Sequence, residues 1–157
     1  MTEQRPVARR FVVPTGGRRA VDRSFDTAAP FDVEAVDADT EVVAVHEGSA
    51  AGWKDIAAAM GAPWVAPVLA DPRHVESYPT GELTIRFEER PSDAELRELE
   101  RVADVRVVRR NEYVDSQVSV EPVGSDGVYL PHLCDRILRR DGVKAAWLST
   151  RSRYSKE

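Results

Sequence analysis

The second half of the chain constrains the fold most strongly, because its apolar residues follow two periods in a fixed order. Between Gly81 and Ser149 the spacing changes from the two-residue period of a strand to the helical period and back again. The resulting order is strand, helix, strand, strand, helix, strand. Few compact arrangements accept that order, since consecutive elements usually pack as neighbours.

The first strand and helix of this block carry the clearest local signals. In the segment LTIRFE, the apolar residues Leu83, Ile85 and Phe87 alternate with polar ones, which predicts a strand that turns these three side chains toward the helices. Ser92 and Glu95 then form the S-x-x-E pattern of a capping box. Four residues line one side of the helix that follows: Leu96, Leu99, Val102 and Ala103.

The rest of the block completes the pattern. Val105–Arg110 and Tyr113–Glu121 have strand composition, and Val143–Ser149 supplies a last strand. The second helix has an apolar stripe at helical spacing, formed by Leu130, Leu133, Cys134, Ile137 and Leu138. The sequence therefore predicts an α+β protein whose residues 79–157 form a ferredoxin-like split βαβ domain of order βαββαβ, with a polar C-terminal tail.

Residues 1–78 predict an N-terminal extension of mixed α/β character, packed on that domain. The first eight or so residues are polar and predict a mobile start, and Arg10–Pro14 follows as a short extended run. Glu41–Glu47 predicts another strand. Ser49 is a suitable cap for a short helix that Gly61 terminates.

Two segments of this extension are harder to interpret. Residues 18–40 show no sustained period, so a long loop and irregular strands fit equally well. The segment PWVAPVLADP is extended, but its prolines favour an edge strand or a linker over a central strand. We place the boundary between the two parts of the chain at residues 78/79.

Composition excludes several classes of protein. Apolar residues make up 42% of the chain and charged residues 31%, the balance of an ordinary soluble protein. The net charge is −5, and arginines and glutamates are interleaved, so no broad nucleic-acid surface is expected. A single cysteine, Cys134, excludes an internal disulfide. No leader or membrane span is evident, and we expect a cytoplasmic protein with no nucleic-acid or membrane partner.

No catalytic or metal site is predicted, and the chain is not expected to be an enzyme or to need a cofactor. His46 follows a predicted strand, but no nucleophile is placed beside it by sequence. His132 and Cys134 are close in sequence to Asp135, yet they diverge around a helix and no second ligand pair completes a tetrahedral site.

Two anion-binding possibilities are also weak. Gly16 and Gly17 precede two arginines and could cradle an anion, but the pattern of a phosphate-binding loop is missing, so a plain turn is favoured. Six arginines could meet RNA, yet the strands beside them lack the aromatic rings on which bases stack. These six are Arg106, Arg109, Arg110, Arg136, Arg139 and Arg140.

The second half also resembles a known family. The resemblance rests on the segments GELTIRF, VRVVRR, QVSVEP and DGVKAAW. A helix with an acidic start follows the first segment, and another helix precedes the last. This part of the chain resembles the N-terminal propeptide domains of subtilisin-like serine proteases and their stand-alone inhibitor relatives. The resemblance covers about residues 79–154.

That resemblance implies a non-catalytic protein that inhibits a subtilisin-like serine protease or assists its folding. In the family the sheet lies against two surface helices of the protease, and the C-terminal tail occupies the substrate cleft like a cleaved product. Carried over, Thr150–Tyr154 would be the cleft segment, with Tyr154 in the primary specificity pocket. The implied protease-binding residues are Trp147, Leu148, Thr150, Arg151, Ser152, Arg153 and Tyr154.

One feature departs from the family, and two other functions stay open. Relatives often carry acidic residues just after the last core strand, where this chain has WLST; Glu112 with Asp115, or Glu121, could supply that charge instead. The alternatives are a ferredoxin-like adaptor or assembly module without a protease target, and a small-molecule or RNA sensor. The oligomeric state is left open. The tail, residues 150–157, adds no apolar core residues, so we expect it to be dispensable for folding.

Overall fold

The strands belong to one connected sheet that joins both halves of the chain. The structure, a computed structural model, describes residues 4–14, 30–37, 39–124 and 127–152. Within these ranges the strands are β1 (Arg5–Pro14), β2 (Phe31–Ala35), β3 (Thr40–Val45), β4 (Trp64–Ala70), β5 (Glu76–Phe87), β6 (Val105–Arg110), β7 (Gln117–Pro122), β8 (Val128–Tyr129) and β9 (Val143–Ser152), and the helices are α1 (Trp53–Met60), α2 (Asp93–Ala103) and α3 (Leu130–Leu138).

The strand order is β2-β3-β1-β4-β5-β7-β6, with β9 paired to β5 and β8 paired to β4. All described pairings are antiparallel except that of β8 with β4. The protein is therefore a mixed α+β protein with a mostly antiparallel sheet and, in its described part, three helices. That level of the predicted fold class is confirmed.

Helix α2 follows its local signals closely. The Ser92 hydroxyl accepts a hydrogen bond from the Glu95 amide (3.1 Å), and the Glu95 carboxylate accepts one from the Ser92 amide (2.7 Å), so the predicted capping box is confirmed. Leu96 and Leu99 are buried as predicted, and so is Ala103. The prediction for Val102 is wrong: it lies off the i, i+3, i+7 stripe, and its side chain is 46% exposed.

Helix α3 has a narrower buried stripe than predicted, and strand β7 begins later than predicted. The buried stripe of α3 is Leu130, Leu133 and Ile137, whereas Leu138 at its end is 43% exposed. Strand β7 begins four residues later than expected. The Asn111 side chain accepts hydrogen bonds from the backbone amides of Tyr113 and Val114, and these bonds close a turn before the strand.

The N-terminal part contains more strand than predicted. β1 begins at Arg5, so the expected mobile start is wrong from that residue onward; its first residues pair with the end of β4. β2 lies within the segment that showed no period. Helix α1 begins after Gly52, not after Ser49, because Asp55 accepts a hydrogen bond from the Gly52 amide (2.8 Å). Gly61 ends α1 in the left-handed conformation, as predicted.

Strand β4 is the clearest correction in this part. An edge strand or linker was expected, yet β4 pairs with β1, β5 and β8, and its residues Val65, Ala66 and Val68 are fully buried. Pro67 is tolerated because it pairs with Phe11 where the β1–β4 register shifts, so its missing N–H falls at an irregularity in the ladder.

The buried core consists of two clusters on opposite sides of the N-terminal strands. The smaller cluster surrounds α1 and includes Val13, Ile56 and Met60. The larger one joins the helices α2 and α3 to the sheet, and it draws on both parts of the chain, from Val12 to Val143. The division at residues 78/79 stays a prediction; it falls within β5, and the larger cluster extends across it.

Candidate protein-interaction surface

The four strands β9-β5-β7-β6 have two unlike faces. Leu83, Ile85, Val118 and Val120 point to one face and belong to the buried cluster that α2 and α3 complete. Because side chains alternate along a strand, the residues between them point to the opposite face. We call that opposite face the open face and define it by Thr84, Arg86, Gln117, Ser119, Ala145, Trp147 and Ser149, with Glu82, Arg106, Arg109 and Glu121 toward β6.

The register arranges the open face in cross-strand rows. One row contains Trp147, Thr84 and Ser119, and the next contains Ala145, Arg86 and Gln117. Side chains in such rows lie close enough to interact. The Thr84 and Ser149 hydroxyls lie 3.0 Å apart and share a hydrogen bond, so the centre of this face is polar and ordered.

Two arginines of the open face are paired with carboxylates. Arg109 donates to Glu82 across the sheet at 2.7 Å, and Arg106 forms an ion pair with Glu121. These four charges cancel within the face. The third arginine, Arg86, donates instead to the neutral Gln117 side chain, with 3.1 Å between Nη2 and Oε1.

Trp147 is the large apolar side chain of the open face. It lies on β9 opposite Thr84, and 42% of it is exposed. Leu148, its neighbour, points the other way and packs on the larger core cluster. Of the predicted protease-binding residues, Trp147 is thus available to a partner, whereas Leu148 is half-buried against the core.

The predicted cleft segment is divided by the end of β9. Thr150 and Arg151 belong to β9 and pair with Pro79 and Tyr78 of β5, and Ser152 pairs with Ser77. Residues 150–152 are therefore part of the sheet, and the prediction that residues 150–157 are dispensable for folding stays untested. Arg153 and Tyr154 lie outside the described residues.

Arg151 is also tied to the N-terminal part of the chain. Its Nε atom lies 3.5 Å from the Asp37 carboxylate, which further accepts hydrogen bonds from the Asp39 amide and from the Thr40 amide and hydroxyl. Burial alone would raise the pKa of Asp37, but these hydrogen bonds and the charge of Arg151 outweigh burial and lower it. The end of β9 is thus held by side-chain as well as backbone contacts.

In the described part of the chain, the histidines do not gather with other metal-ligating side chains into a metal site. His46 lies at an exposed position with its Nε2 atom 3.1 Å from Asp32. His132 is packed edge-on against Tyr129, which stacks on Trp53 at 5.2 Å between ring centres. Nowhere in the described ranges do three His, Cys, Asp or Glu side chains approach closely enough to hold a metal ion. Gly16 and Gly17 lie outside those ranges.

The two alternatives for the family's acidic residues lie at different places in the structure. Glu112 and Asp115 are exposed in the turn between β6 and β7, whereas Glu121 is on the open face and already paired with Arg106. Sequence reasoning missed Thr84, Arg86 and Ser119 as residues of the open face, where Thr84 is buried by its neighbours and the other two are partly exposed. The segments LTIRFE and QVSVEP both alternate apolar and polar residues. In each strand this alternation predicts that the polar side chains share the face opposite the apolar ones.

Cys134 has the properties of an unreactive thiol. Burial, with a smaller contribution from the charge of Asp135, raises its pKa to about 11. Only the thiolate is nucleophilic. We therefore expect iodoacetamide at pH 8 to alkylate Cys134 of the native protein about 100-fold more slowly than in urea, where an ordinary pKa of about 8.5 is restored. Mass spectrometry of timed samples measures both rates, and equal rates would contradict the burial of this thiol.

Comparison with protein families, with curated proteins and with solved structures found no match for this chain. The longest helix in the described ranges is α2, with 11 residues, and none of the three helices has the length and apolar character needed to cross a membrane.

Proposed function

We propose that this chain is a non-catalytic binding protein of the subtilase-propeptide type, which inhibits or helps to fold a subtilisin-like serine protease. The observation that carries the proposal is the open face, a sheet surface opposite two packed helices with a half-exposed tryptophan at Trp147. Large aromatic side chains that remain exposed on an otherwise ordered surface are typical anchors of protein interfaces.

The strand connections support the finer fold on which this proposal depends. From β5 to β9 the elements follow the order βαββαβ once the two-residue strand β8, which pairs with β4, is set aside, and the other four strands lie in the order β9-β5-β7-β6. This order is consistent with the ferredoxin-like split βαβ domain that the proposal requires. A propeptide-type domain needs this arrangement, because it leaves one face of the sheet free to dock on the protease.

The proposed tail contact is compatible with the end of β9. Residues 150–152 use one edge of their backbone to pair with β5, and no other described strand pairs with β9. A product-like segment would leave the sheet after Ser152, with Arg153 and Tyr154 adding to the protease cleft by backbone pairing. A tail of this length is too short for nanomolar affinity, which needs about −12 kcal/mol, so the open face must supply most of the contact.

An RNA-binding function has less support. The open-face residues of the central strands β5 and β7 are Thr84, Arg86, Gln117 and Ser119, so the two central strands offer no ring for base stacking. Arg106 and Arg109 are already paired with carboxylates.

A second candidate function is an assembly module, which the outer edge of β9 favours. In the described part of the chain this strand pairs with β5 alone, and its residues 145–150 carry no charge. Sheet edges that are long and uncharged pair readily with other chains. Concentration-dependent self-association in light scattering, without protease inhibition, would favour this function over the first.

The proposed function predicts selective inhibition that depends on Trp147. Titration of the protein into a subtilisin-family protease, followed by peptide hydrolysis, should show tight inhibition, with trypsin unaffected. Trp147→Ala should weaken inhibition about 30-fold or more, as expected for an interface hot spot. Tyr113→Ala is the matched control, because Tyr113 is 89% exposed in the turn before β7 and should not change inhibition.

The tail is tested by deleting residues 153–157, which leaves the described pairing of β9 with β5 complete. This variant should fold with unchanged thermal stability and inhibit less well. Rapid degradation of the wild-type chain without inhibition, detected by mass spectrometry, would overturn the proposed function.

A further inference from the structure

Arg86 of β5 differs from the arginines of its neighbouring strand β6. Arg106, Arg109 and Arg110 each lie within ion-pair distance of a carboxylate, whereas among the described residues Arg86 forms no ion pair. Its described hydrogen bond goes to the neutral side-chain oxygen of Gln117, at 3.1 Å. The positive charge of Arg86 is thus not compensated within the described part of the chain.

The surroundings of Arg86 leave one edge of its guanidinium without solvent and without an acceptor among the described residues. Its Nε atom is buried, and no acceptor within the described ranges reaches it. A guanidinium that loses water contacts without gaining an anionic partner costs free energy. A counter-ion arriving from outside the chain would recover part of that cost, because charge-assisted hydrogen bonds to arginine are strong and often bidentate.

The neighbours of Arg86 make it accessible from the open face. Ala145, its cross-strand neighbour on β9, has a small side chain, and Arg86 is partly exposed. Trp147 lies two residues further along β9, on the same face. A positive charge and a large apolar ring are therefore presented side by side.

We propose that Arg86 and Trp147 form a paired anchor that receives a carboxylate side chain of the protein partner next to an apolar contact. The inference rests on the proposed function, and it specifies the chemistry of the partner: an aspartate or glutamate on the surface that docks on the open face. Residues Arg106 and Arg109 do not fit this role, because Glu121 and Glu82 already neutralise them.

The test is inhibition of the subtilisin-family protease by Arg86→Met, measured as an inhibition constant at several salt concentrations. The variant should bind at least about tenfold more weakly, because it leaves the partner's carboxylate buried and unpaired. Arg86→Lys should recover only part of the affinity, since an ammonium cannot make the bidentate contact. The affinity of wild type should fall with salt more steeply than that of Arg86→Met.

Two controls separate this contact from net charge and from lost stability. Arg97→Met makes the same change in net charge on an exposed position of α2, on the other side of the sheet, and should leave inhibition unchanged. The double variant Arg109→Met/Glu82→Gln removes an ion pair from the open face without changing the net charge. Its inhibition constant should differ from that of wild type by less than about threefold. Thermal unfolding of Arg86→Met should match wild type or exceed it, because a poorly paired charge is removed.

The outcomes distinguish the two proposals. Strong inhibition by wild type and equal inhibition by Arg86→Met would overturn the carboxylate anchor and leave the proposed function standing. If wild type does not inhibit, the proposed function fails and the anchor fails with it. If Arg86→Met and Arg97→Met weaken inhibition equally, the anchor is also overturned, because the change in net charge would then explain both results.

Discussion

Replacing Gly81 with alanine is expected to lower the free energy of unfolding by about 4 kcal/mol, because the change combines backbone strain with a steric clash. Gly81 has φ +99°, a conformation that L side chains rarely adopt. An added Cβ would also lie 2.8 Å from the Trp64 ring, which is buried in the larger core cluster. Urea denaturation followed by circular dichroism measures the loss.

Gly142→Ala is the matched control for this prediction. Gly142 also has a positive φ, +85°, but a Cβ there would meet nothing within 4 Å. Gly142→Ala should lower the free energy of unfolding by about 1–2 kcal/mol, because only backbone strain is introduced. Equal losses for Gly81→Ala and Gly142→Ala would mean that the Trp64 ring does not lie over Gly81. In a Trp64→Leu background, the cost of Gly81→Ala should fall toward that of the control.

The second large effect is expected at Leu133. This side chain is 1% exposed on the buried stripe of α3, so Leu133→Ala removes methyl groups from the larger core cluster and should destabilise the protein by about 3 kcal/mol. Leu138→Ala is chemically identical on the same helix, but Leu138 is largely outside the core, and its replacement should change stability by about 0.5 kcal/mol or less.

The midpoint of urea unfolding measures both variants, with the slope of the transition as a check that the unfolded states are comparable. Similar destabilisation by Leu133→Ala and Leu138→Ala would show that α3 presents a different face to the sheet. Larger destabilisation by Leu138→Ala would have the same meaning.

Helix α2 shows how far local signals extend. Its start follows from Ser92 and Glu95, which satisfy each other's backbone amides without any help from distant residues. The one error, Val102, came from including an apolar residue that does not fall on the buried stripe. Capping and helical spacing act within a few residues, so the sequence contains them directly.

Strands β4 and β9 show where local signals end. The prolines of β4 suggested an edge position, but the register shift against β1 lets Pro67 sit within a buried strand. The polar end of β9 has no strand signature, and Thr150 and Arg151 are extended because the first residues of β5 pair with them. Both outcomes depend on a partner strand more than 50 residues away in sequence.

The open face combines both kinds of information. The alternation of LTIRFE already separates Thr84 and Arg86 from Leu83 and Ile85, so the polar phase could be predicted. The pairing of Arg109 with Glu82, and the absence of an ion pair at Arg86 within the described residues, depend on strand register. Sequence alone could not show which arginine of the open face lacks a carboxylate partner among the described residues.

By itself, the sequence determined the mixed α+β character, the order of elements in the second half apart from the two-residue β8, the capping of α2 and most of the buried stripes of α2 and α3. Only the tertiary structure decided that β4 is buried, that β9 extends to Ser152, and that Trp147 and Arg86 share one face opposite the helices. The physical reason is that helix caps and helical spacing involve residues close together in sequence. Strand pairing instead joins distant segments through backbone groups that almost every residue has. Which strands meet, and in which register, is therefore set by how the whole chain packs.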